Sequence, residues 1–417
     1  MTREIVYKAL IRCRRDGAWS SQTFFSLVNS SGLSARDRSF AMRLFYGILQ
    51  NLYLLDFYID YFSDNKPQAK VRDALRIGVY QILFMDGVPD RAAVNETVSM
   101  TKSVGLNFAS GFVNAFLRKI VHQKNELPEI KGEEAEIFSI RYSHPRWLVN
   151  CLIKERGVDG AEAVLQANNK ATPVFIQINT LKPSAEKMRE YPDAVPFPGV
   201  ANGLMLKNAT GVFNSVEFSN GFFYAQDPAA RMAVSAAELK PGMQVLDACA
   251  APGGKSFAAA IDMKNKGYIL SRDINEAKVK LICEGARRLG IDIIACESAD
   301  ATEPLEGEFD VVIADVPCSG LGVIRKKPEI RYKDEKTFSG LADIQKKIIT
   351  NLAHNVKPGG ILLYSTCTFR HEENGDITSE FVKKNKFFSI EYERTFWPDI
   401  DNTDGFYVCR IRRTTQM

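Results

Sequence analysis

From Gly221 onward, short continuous apolar runs alternate with helical stretches, and this alternation constrains the fold more than any other feature of the sequence. The runs are "MQVLDACA", "GYILSRDI", "IDIIACES", "FDVVIADVP" and "GGILLYST", separated by segments such as "EAKVKLICEGARRLG". A strand that is apolar at successive positions is buried on both faces. The pattern therefore predicts a parallel sheet covered by helices, the doubly wound α/β class. Ligands of such sheets bind beyond the carboxyl ends of the strands, and here those ends carry reactive groups. Asp247, Asp273 and Asp300 sit at or after three successive runs. "FDVVIADVPCSG" then delivers Asp315 and Cys318, and "ILLYSTCTF" delivers Cys367.

Ahead of this region the periodicity is helical. In "LRIGVYQILFMDGVP", Leu75, Val79, Ile82 and Leu83 share one face before Gly87 and Pro89 break the helix, and Ser34 is placed to cap another. The expected organisation is an all-helical domain over 1–130, a polar linker "KNELPEIKGEEAE", a small α+β connecting subdomain over 137–215 without a core of its own, and a catalytic domain over 216–417. Residues 1–130 carry 17 Lys+Arg and 12 Asp+Glu, a surplus of 5 against +4 for the whole chain, so the basic excess lies in the first third. That bias is compatible with a polyanion partner.

No apolar run is long enough to span a bilayer, and "MTREIVYKAL" lacks the apolar centre of a signal peptide, so the expected setting is cytoplasmic, with no membrane partner. The eight cysteines include no CxxC pair or Cys/His ligand spacing, which argues against a metal and for thiols. Cys13, Cys151, Cys283, Cys296 and Cys409 read as core filler.

The first strand–helix turn is "VLDACAAPGGKS". Its Gly-Lys-Ser tail looks like a phosphate loop, but Cys249 stands where that motif needs glycine, which excludes the nucleoside triphosphatase reading. Asp273 is placed to bind both ribose hydroxyls, and Asp300 to accept from an adenine amino group. Ala250, Gly253 and Gly254 let the backbone approach a ligand closely, while Asp247 and Asp315 would meet a sulfonium charge. S-adenosyl-L-methionine fits these features, although dinucleotide enzymes share part of the pattern.

Two thiols at strand ends also have a chemical use. Thiolate addition to carbon 6 of cytosine makes carbon 5 electron-rich enough to accept a methyl group. A second group must then remove the carbon-5 proton. Against simple packing, Cys318 follows Pro317 and precedes Ser319-Gly320, a turn composition, and Cys367 is flanked by threonines.

"DACAAPGGKS", "DVPCSGLGVIRKKPEIRY" and "YSTCTF", in this order, resemble the RNA cytosine-C5 methyltransferases of the nucleolar-protein/Sun family. "LRIGVYQILFMDGVPDRAAVNETV" and "GFVNAFLRKI" are similar to the NusB-like RNA-binding domain of the family's bacterial 16S rRNA members. The resemblance implies a Rossmann-like catalytic domain in which Cys367 is the nucleophile and Cys318 assists proton loss and release. Asp315 would contact cytosine N3. Cys249, Ala250, Ala251, Pro252, Gly253, Gly254 and Lys255, with Asp273, Asp300 and Asp315, would hold S-adenosylmethionine. DNA cytosine methyltransferases use a Pro-Cys thiol, and by that analogy Cys318 would attack instead. The implied partner is 16S rRNA, unassembled or partly assembled. The rivals are the same chemistry on tRNA and a non-catalytic RNA-binding assembly factor. Departures from the family pattern are Gln50, Gln177 and Ala230. In "IRKKPEIRY", Arg325, Lys326, Lys327 and Arg331 are expected to grip RNA phosphates beside Cys318.

Overall fold

The computed structural model describes residues 1–16, 20–209 and 211–415. They form two compact units, Met1–Lys170 with Lys326–Lys333, and Ala171–Arg325 with Asp334–Met417.

The first unit is helical: α1 Thr2–Asp16, α2 Ser20–Asn29, α3 Ala35–Gln50, α4 Leu52–Phe62, α5 Ala69–Phe84, α6 Asp90–Ser103, α7 Ser110–Gln123, α8 Glu134–Tyr142 and α9 Arg146–Asn169. Ser34 caps α3, its Oγ accepting from the Asp37 N–H at 3.1 Å. Helix α5 buries eleven consecutive-turn positions on several faces, including Leu75, Val79 and Ile82, so it is the central helix of the bundle and not an amphipathic surface one. Gly78 makes that possible: a Cβ there would lie 2.6 Å from the Leu117 side chain of α7. Helices α8 and α9 pack within this helical unit.

His144 and Arg331 are both buried in this unit. The His144 Nδ1–H donates to the Tyr142 carbonyl at 2.7 Å, leaving Nε2 to accept from Asn168 at 3.3 Å. Burial, and then the charge of Arg331, hold the imidazole pKa well below its ordinary value, so His144 is neutral in the fold. The unfolded chain takes up a proton near pH 6.5 that the folded chain refuses, so this group contributes stability that is lost as pH falls below about 6.5, at about 1.4 kcal/mol per pH unit. Urea titrations of wild type and His144→Gln at a series of pH values should show their stability difference shrinking on acidification; a constant difference would contradict the neutral assignment.

In the second unit, β1 Val174–Ile178, β2 Ala194–Pro196, β3 Gly203–Leu206 and β4 Phe223–Ala225 make an antiparallel sheet in the order β2-β3-β1-β4. Contrary to expectation this segment has a core of its own, in which Ile176, Ile178, Met188, Leu204, Leu206 and Phe223 pack together. The sequence pattern showed only β1, because the other strands are three or four residues long. Asn179 fastens the end of β1: its side-chain amide donates to the carbonyls of Gly221 and Leu289 at 2.9 and 2.8 Å.

The main sheet comprises β5 Gln244–Asp247, β6 Tyr268–Asp273, β7 Ile294–Ser298, β8 Phe309–Asp315, β9 Val356–Thr366, β10 Phe388–Phe396 and β11 Phe406–Arg413, in the order β10-β11-β9-β8-β5-β6-β7. Its five central and far strands are parallel, as the apolar runs require, while β11 runs antiparallel to β9 and β10 to β11. The sheet is therefore mixed. The hairpin escapes the sequence pattern because β10, "FSIEYERTF", is largely polar. Val245, Val311, Ile313, Ile361 and Leu363 face one apolar layer, and Leu246, Val312, Ala314, Leu362 and Tyr364 the other. Every second residue of a continuous apolar run thus supplies each core. The chain runs outward from β5 to β6 and β7, then returns to β8 on the other side of β5, so the carboxyl ends of β5 and β8 flank the switch point where such folds bind ligands.

Candidate active site

Strands β8 and β9 are parallel neighbours with Asp315 opposite Ser365, and both continue only two or three residues before reaching a cysteine. That register brings Cys318 Sγ to 3.2 Å from Cys367 Sγ. No disulfide joins any cysteine among the described residues. The two loops are tied by backbone: the Gly322 N–H donates to the Cys367 carbonyl at 2.9 Å, and a Cβ on Gly322 would lie 1.8 Å from the Gly405 carbonyl oxygen. The hydrogen bond with Cys367, then burial, push the Cys318 thiol well above its ordinary pKa.

Asp315 links the thiols to the β5 turn. Its Oδ1 accepts from Ser365 Oγ at 2.7 Å and its Oδ2 pairs with Lys255 Nζ at 2.5 Å. Burial alone would lower the Lys255 pKa, but Asp315 beside it prevails and holds it above the ordinary value, so the ammonium keeps its charge. Lys255 enters from the helix Gly254–Asp262, and its Nζ lies 5.1 Å from the centre of the Phe406 ring.

A cavity of about 600 Å³ opens at these strand ends, lined by Cys249, Ala250, Ala251, Pro252, Gly254 and Lys255 together with Asp247, Asp315 and Gln226. Asp247 is fully buried; its Oδ2 accepts from Ser256 Oγ at 2.7 Å while its Oδ1 has no hydrogen-bond partner. Burial pushes the carboxyl up to about 7, against the opposing effect of Ser256. Gln226 Nε2 is likewise buried without a partner. An orphaned acceptor and an orphaned donor on one cavity wall, beside small residues, fit a ligand carrying both kinds of group. Gly253, at φ 109°, caps the helix Gly254–Asp262 behind this wall.

Asp273 and Asp300 are outside that lining. Asp273 ends β6, accepting the Ala251 N–H at 3.2 Å and the Asn275 N–H at 3.0 Å, so it shapes the Cys249–Lys255 turn and keeps lone pairs for a further donor. Asp300 Oδ1 accepts from the Thr302 N–H and hydroxyl, both at 2.8 Å, which lowers its pKa.

The expected phosphate grip does not hold for two of its four residues. Arg325 is buried against Asp404, with Nε to Oδ1 at 3.2 Å. Arg331 is 0% exposed, and its guanidinium donates to the carbonyls of Gln50, Tyr142, Ser143 and Asn168 and to Asn169 Oδ1. Its donors are held inside the protein. Lys326 and Lys327 are exposed.

Two residues of the site went unnoticed in the sequence. Glu373 is 1% exposed, and its Oε2 accepts the Ser319 N–H at 2.8 Å and Gln345 Nε2 at 3.1 Å, fixing the backbone beside Cys318. Asn374 bridges the residues on both sides of Cys367, accepting from Thr366 Oγ1 at 2.6 Å and donating to the Thr368 carbonyl at 3.0 Å. Both lie in the polar stretch "RHEENGD" after β9.

Among the described residues, no cluster of three or more His, Cys, Asp or Glu could hold a metal, and no helix is long and apolar enough to cross a membrane. The NusB family model matches residues 1–122, a ferredoxin-like domain model of RsmF/B-like methyltransferases matches 144–212, and the 16S rRNA methyltransferase RsmB/F model matches 234–412. A probable ribosomal RNA small subunit methyltransferase B of Bacillus subtilis strain 168 is 35% identical, over 99% of this chain and 98% of its own. The chain belongs to the ribosomal RNA small subunit methyltransferase B family. It is a methyltransferase acting on ribosomal RNA, with S-adenosylmethionine as methyl donor. The family member of Proteus mirabilis HI4320 is 28% identical over 99% of this chain and 98% of its own. In fold, the chain matches the crystal structure of PH0851 with a TM-score of 0.81 and 26% identity, covering 98% of this chain and 99% of that one. It matches NSun6 from Pyrococcus horikoshii, solved with SFG, at 0.59 and 20%, covering 65% and 99%.

Proposed function

We propose that this methyltransferase modifies carbon 5 of a cytosine in 16S rRNA through a covalent adduct between Cys367 and carbon 6. The observation that carries the reading is the 3.2 Å approach of two thiols at neighbouring strand ends, beside the Asp315–Lys255 pair. Methyl transfer to a more basic ring or amino nitrogen needs no thiol, whereas carbon 5 needs one to activate it and a base to release it.

Cys367 adds to carbon 6, and the electron pair of the 5,6 double bond moves into the ring. The Cys367 thiol proton passes by way of Asp315, which the Lys255 ammonium holds in place, to N3, where it neutralises that electron pair and stabilises the adduct; it leaves again when the double bond re-forms. S-adenosylmethionine supplies an electrophilic methyl group, held by Cys249 to Lys255 with Asp247, Asp273 and Asp300. Cys318 then takes the proton from carbon 5, the double bond re-forms, and the Cys367 thiolate leaves. In the free enzyme the hydrogen bond with Cys367 is the largest cause keeping Cys318 protonated. Once Cys367 is a thioether that cause is gone, so the Cys318 thiol gives up its proton to solvent more readily and stands as the thiolate when the carbon-5 proton must leave. The target base must be unstacked for both thiols to reach it, which favours naked or partly assembled small-subunit RNA in the cytoplasm over a mature duplex.

The test uses small-subunit RNA carrying tritium at carbon 5 of cytosine, offered naked, in partly assembled subunits and in mature ones, with tRNA alongside. One tritium should appear in water per methyl transferred, most from the unassembled RNA. Methylation without tritium release would remove carbon 5 as the target, and preference for tRNA would remove 16S rRNA. For the cofactor, Asp273→Ala should weaken S-adenosylmethionine binding by about 1–3 kcal/mol, the scale of unpaired buried donors. Unchanged affinity by calorimetry would take Asp273 out of the site.

A further inference from the structure

We propose that the groove between α6 and α7 holds a single-stranded segment of the RNA substrate, its phosphates on Arg91 and Arg118 and its bases on Phe108 and Phe112. The inference rests on RNA being the substrate, and it names a surface of the helical unit that contacts it.

The groove has a volume of about 540 Å³ and is lined by Asp90, Arg91, Val94 and Asn95 of α6 and by Arg118, Val121 and His122 of α7. Helix α7, "SGFVNAFLRKIVHQ", contains no acidic residue. The two acids of α6 are neutralised by cations from outside the groove wall: Asp90 pairs with Lys124 at 2.6 Å, and Glu96 with Arg3 at 3.3 Å. Arg91 and Arg118 are exposed and have no carboxylate partner among the described residues; the Arg118 Nε–H donates to Asn114 Oδ1 at 3.3 Å. What remains is two uncompensated guanidiniums, an imidazole and a side-chain amide around one hollow, which suits phosphates and base edges.

The same face of α7 continues into aromatic side chains. Phe112, Ala115, Arg118 and His122 follow one another at spacings of three and four, and Phe108 lies in the 3-10 turn Asn107–Ala109 that leads into α7. Phe108 is 72% exposed and Phe112 44%. A helix pays for exposed phenylalanines in solubility unless something covers them. Gly111 lies between the two phenylalanines and Ala115 between Phe112 and Arg118, and a Cβ at Gly111 would meet open space, so a strand can approach the helix closely there. From Phe112 to Arg118 is about 9 Å along the axis, and to His122 about 15 Å. Aromatic faces followed by cations along one face match the way proteins bind unpaired nucleotides without reading sequence. A protein partner would be better served by a contiguous apolar patch than by two rings flanked by unpaired arginines.

The experiment uses the full chain, with Phe108→Ala/Phe112→Ala and Arg91→Gln/Arg118→Gln as the paired variants. Anisotropy with a short fluorescein-labelled single-stranded RNA, the same sequence as duplex, and a naked small-subunit transcript gives affinity against salt. The aromatic pair should weaken single-stranded binding about tenfold and duplex binding little. The arginine pair should make the dependence of log K on log salt shallower by about 1.4. In methylation assays both should raise KM for RNA with kcat unchanged, and S-adenosylmethionine binding and melting temperature should stay at wild-type values. Unchanged affinity and slope in both variants would overturn the proposal, as would an aromatic pair that binds RNA normally yet no longer binds assembled subunits, which would make the face a protein-docking site. The RNA readouts are independent of tritium release, so failure of the carbon-5 assignment is distinguishable from failure of the groove.

Discussion

Cys367→Ala should abolish methylation together with any covalent enzyme–RNA complex, whereas Cys318→Ala should transfer a methyl group and then fail to let go. The difference follows from timing. In the proposed mechanism Cys367 attacks first, so without it nothing would be bonded to the base. In the same mechanism Cys318 acts last, so its loss should leave a methylated adduct whose carbon-5 proton has no base within reach. A denaturing gel with radiolabelled small-subunit RNA separates the cases: a shifted band for Cys318→Ala and none for Cys367→Ala, with calorimetry showing that both variants still bind S-adenosylmethionine. The reversed pattern would make Cys318 the nucleophile, as in the DNA enzymes. Full activity in both variants would make the 3.2 Å thiol contact a packing feature.

The second large effect is on stability. Arg331→Ala should cost on the order of 3–5 kcal/mol, because removing the guanidinium leaves a set of buried carbonyls and the Asn169 side chain without their donor. Burial already lowers the Arg331 pKa to about 10, a measure of how far the charge is from water. Arg331→Lys should recover only a fraction, since an ammonium cannot reach acceptors arranged around a planar fork. Urea denaturation monitored by circular dichroism checks the size of the loss. A variant that melts as wild type but binds RNA weakly would return Arg331 to the surface role its sequence context suggested.

That contrast marks where the sequence stops. "IRKKPEIRY" reads as four cations in a polar loop, and for Lys326 and Lys327 the exposed placement agrees. The acceptors that bury Arg331 are contributed by residues 50, 142, 143, 168 and 169, and the acid that buries Arg325 by residue 404. Nothing near either arginine in the chain announces them. Glu373 and Asn374 are the converse case: they follow a strand end in a polar turn, and only folding puts one beside the Cys318 loop and the other around Cys367.

By itself the sequence determined the sheet's parallel core, the order of its strands' chemistry, and the arrival of Asp247, Asp315, Cys318 and Cys367 at carboxyl ends. Those are local properties: a continuous apolar run must be buried on both faces, and whatever follows it must surface at its end. The tertiary structure decided the antiparallel hairpin at one edge, the independent core of the small sheet, which cations face solvent, and which polar residues hold the thiols. Each of these depends on the desolvation and hydrogen bonding of a side chain by segments tens to hundreds of residues away, and burial of that kind is written in no single stretch of the chain.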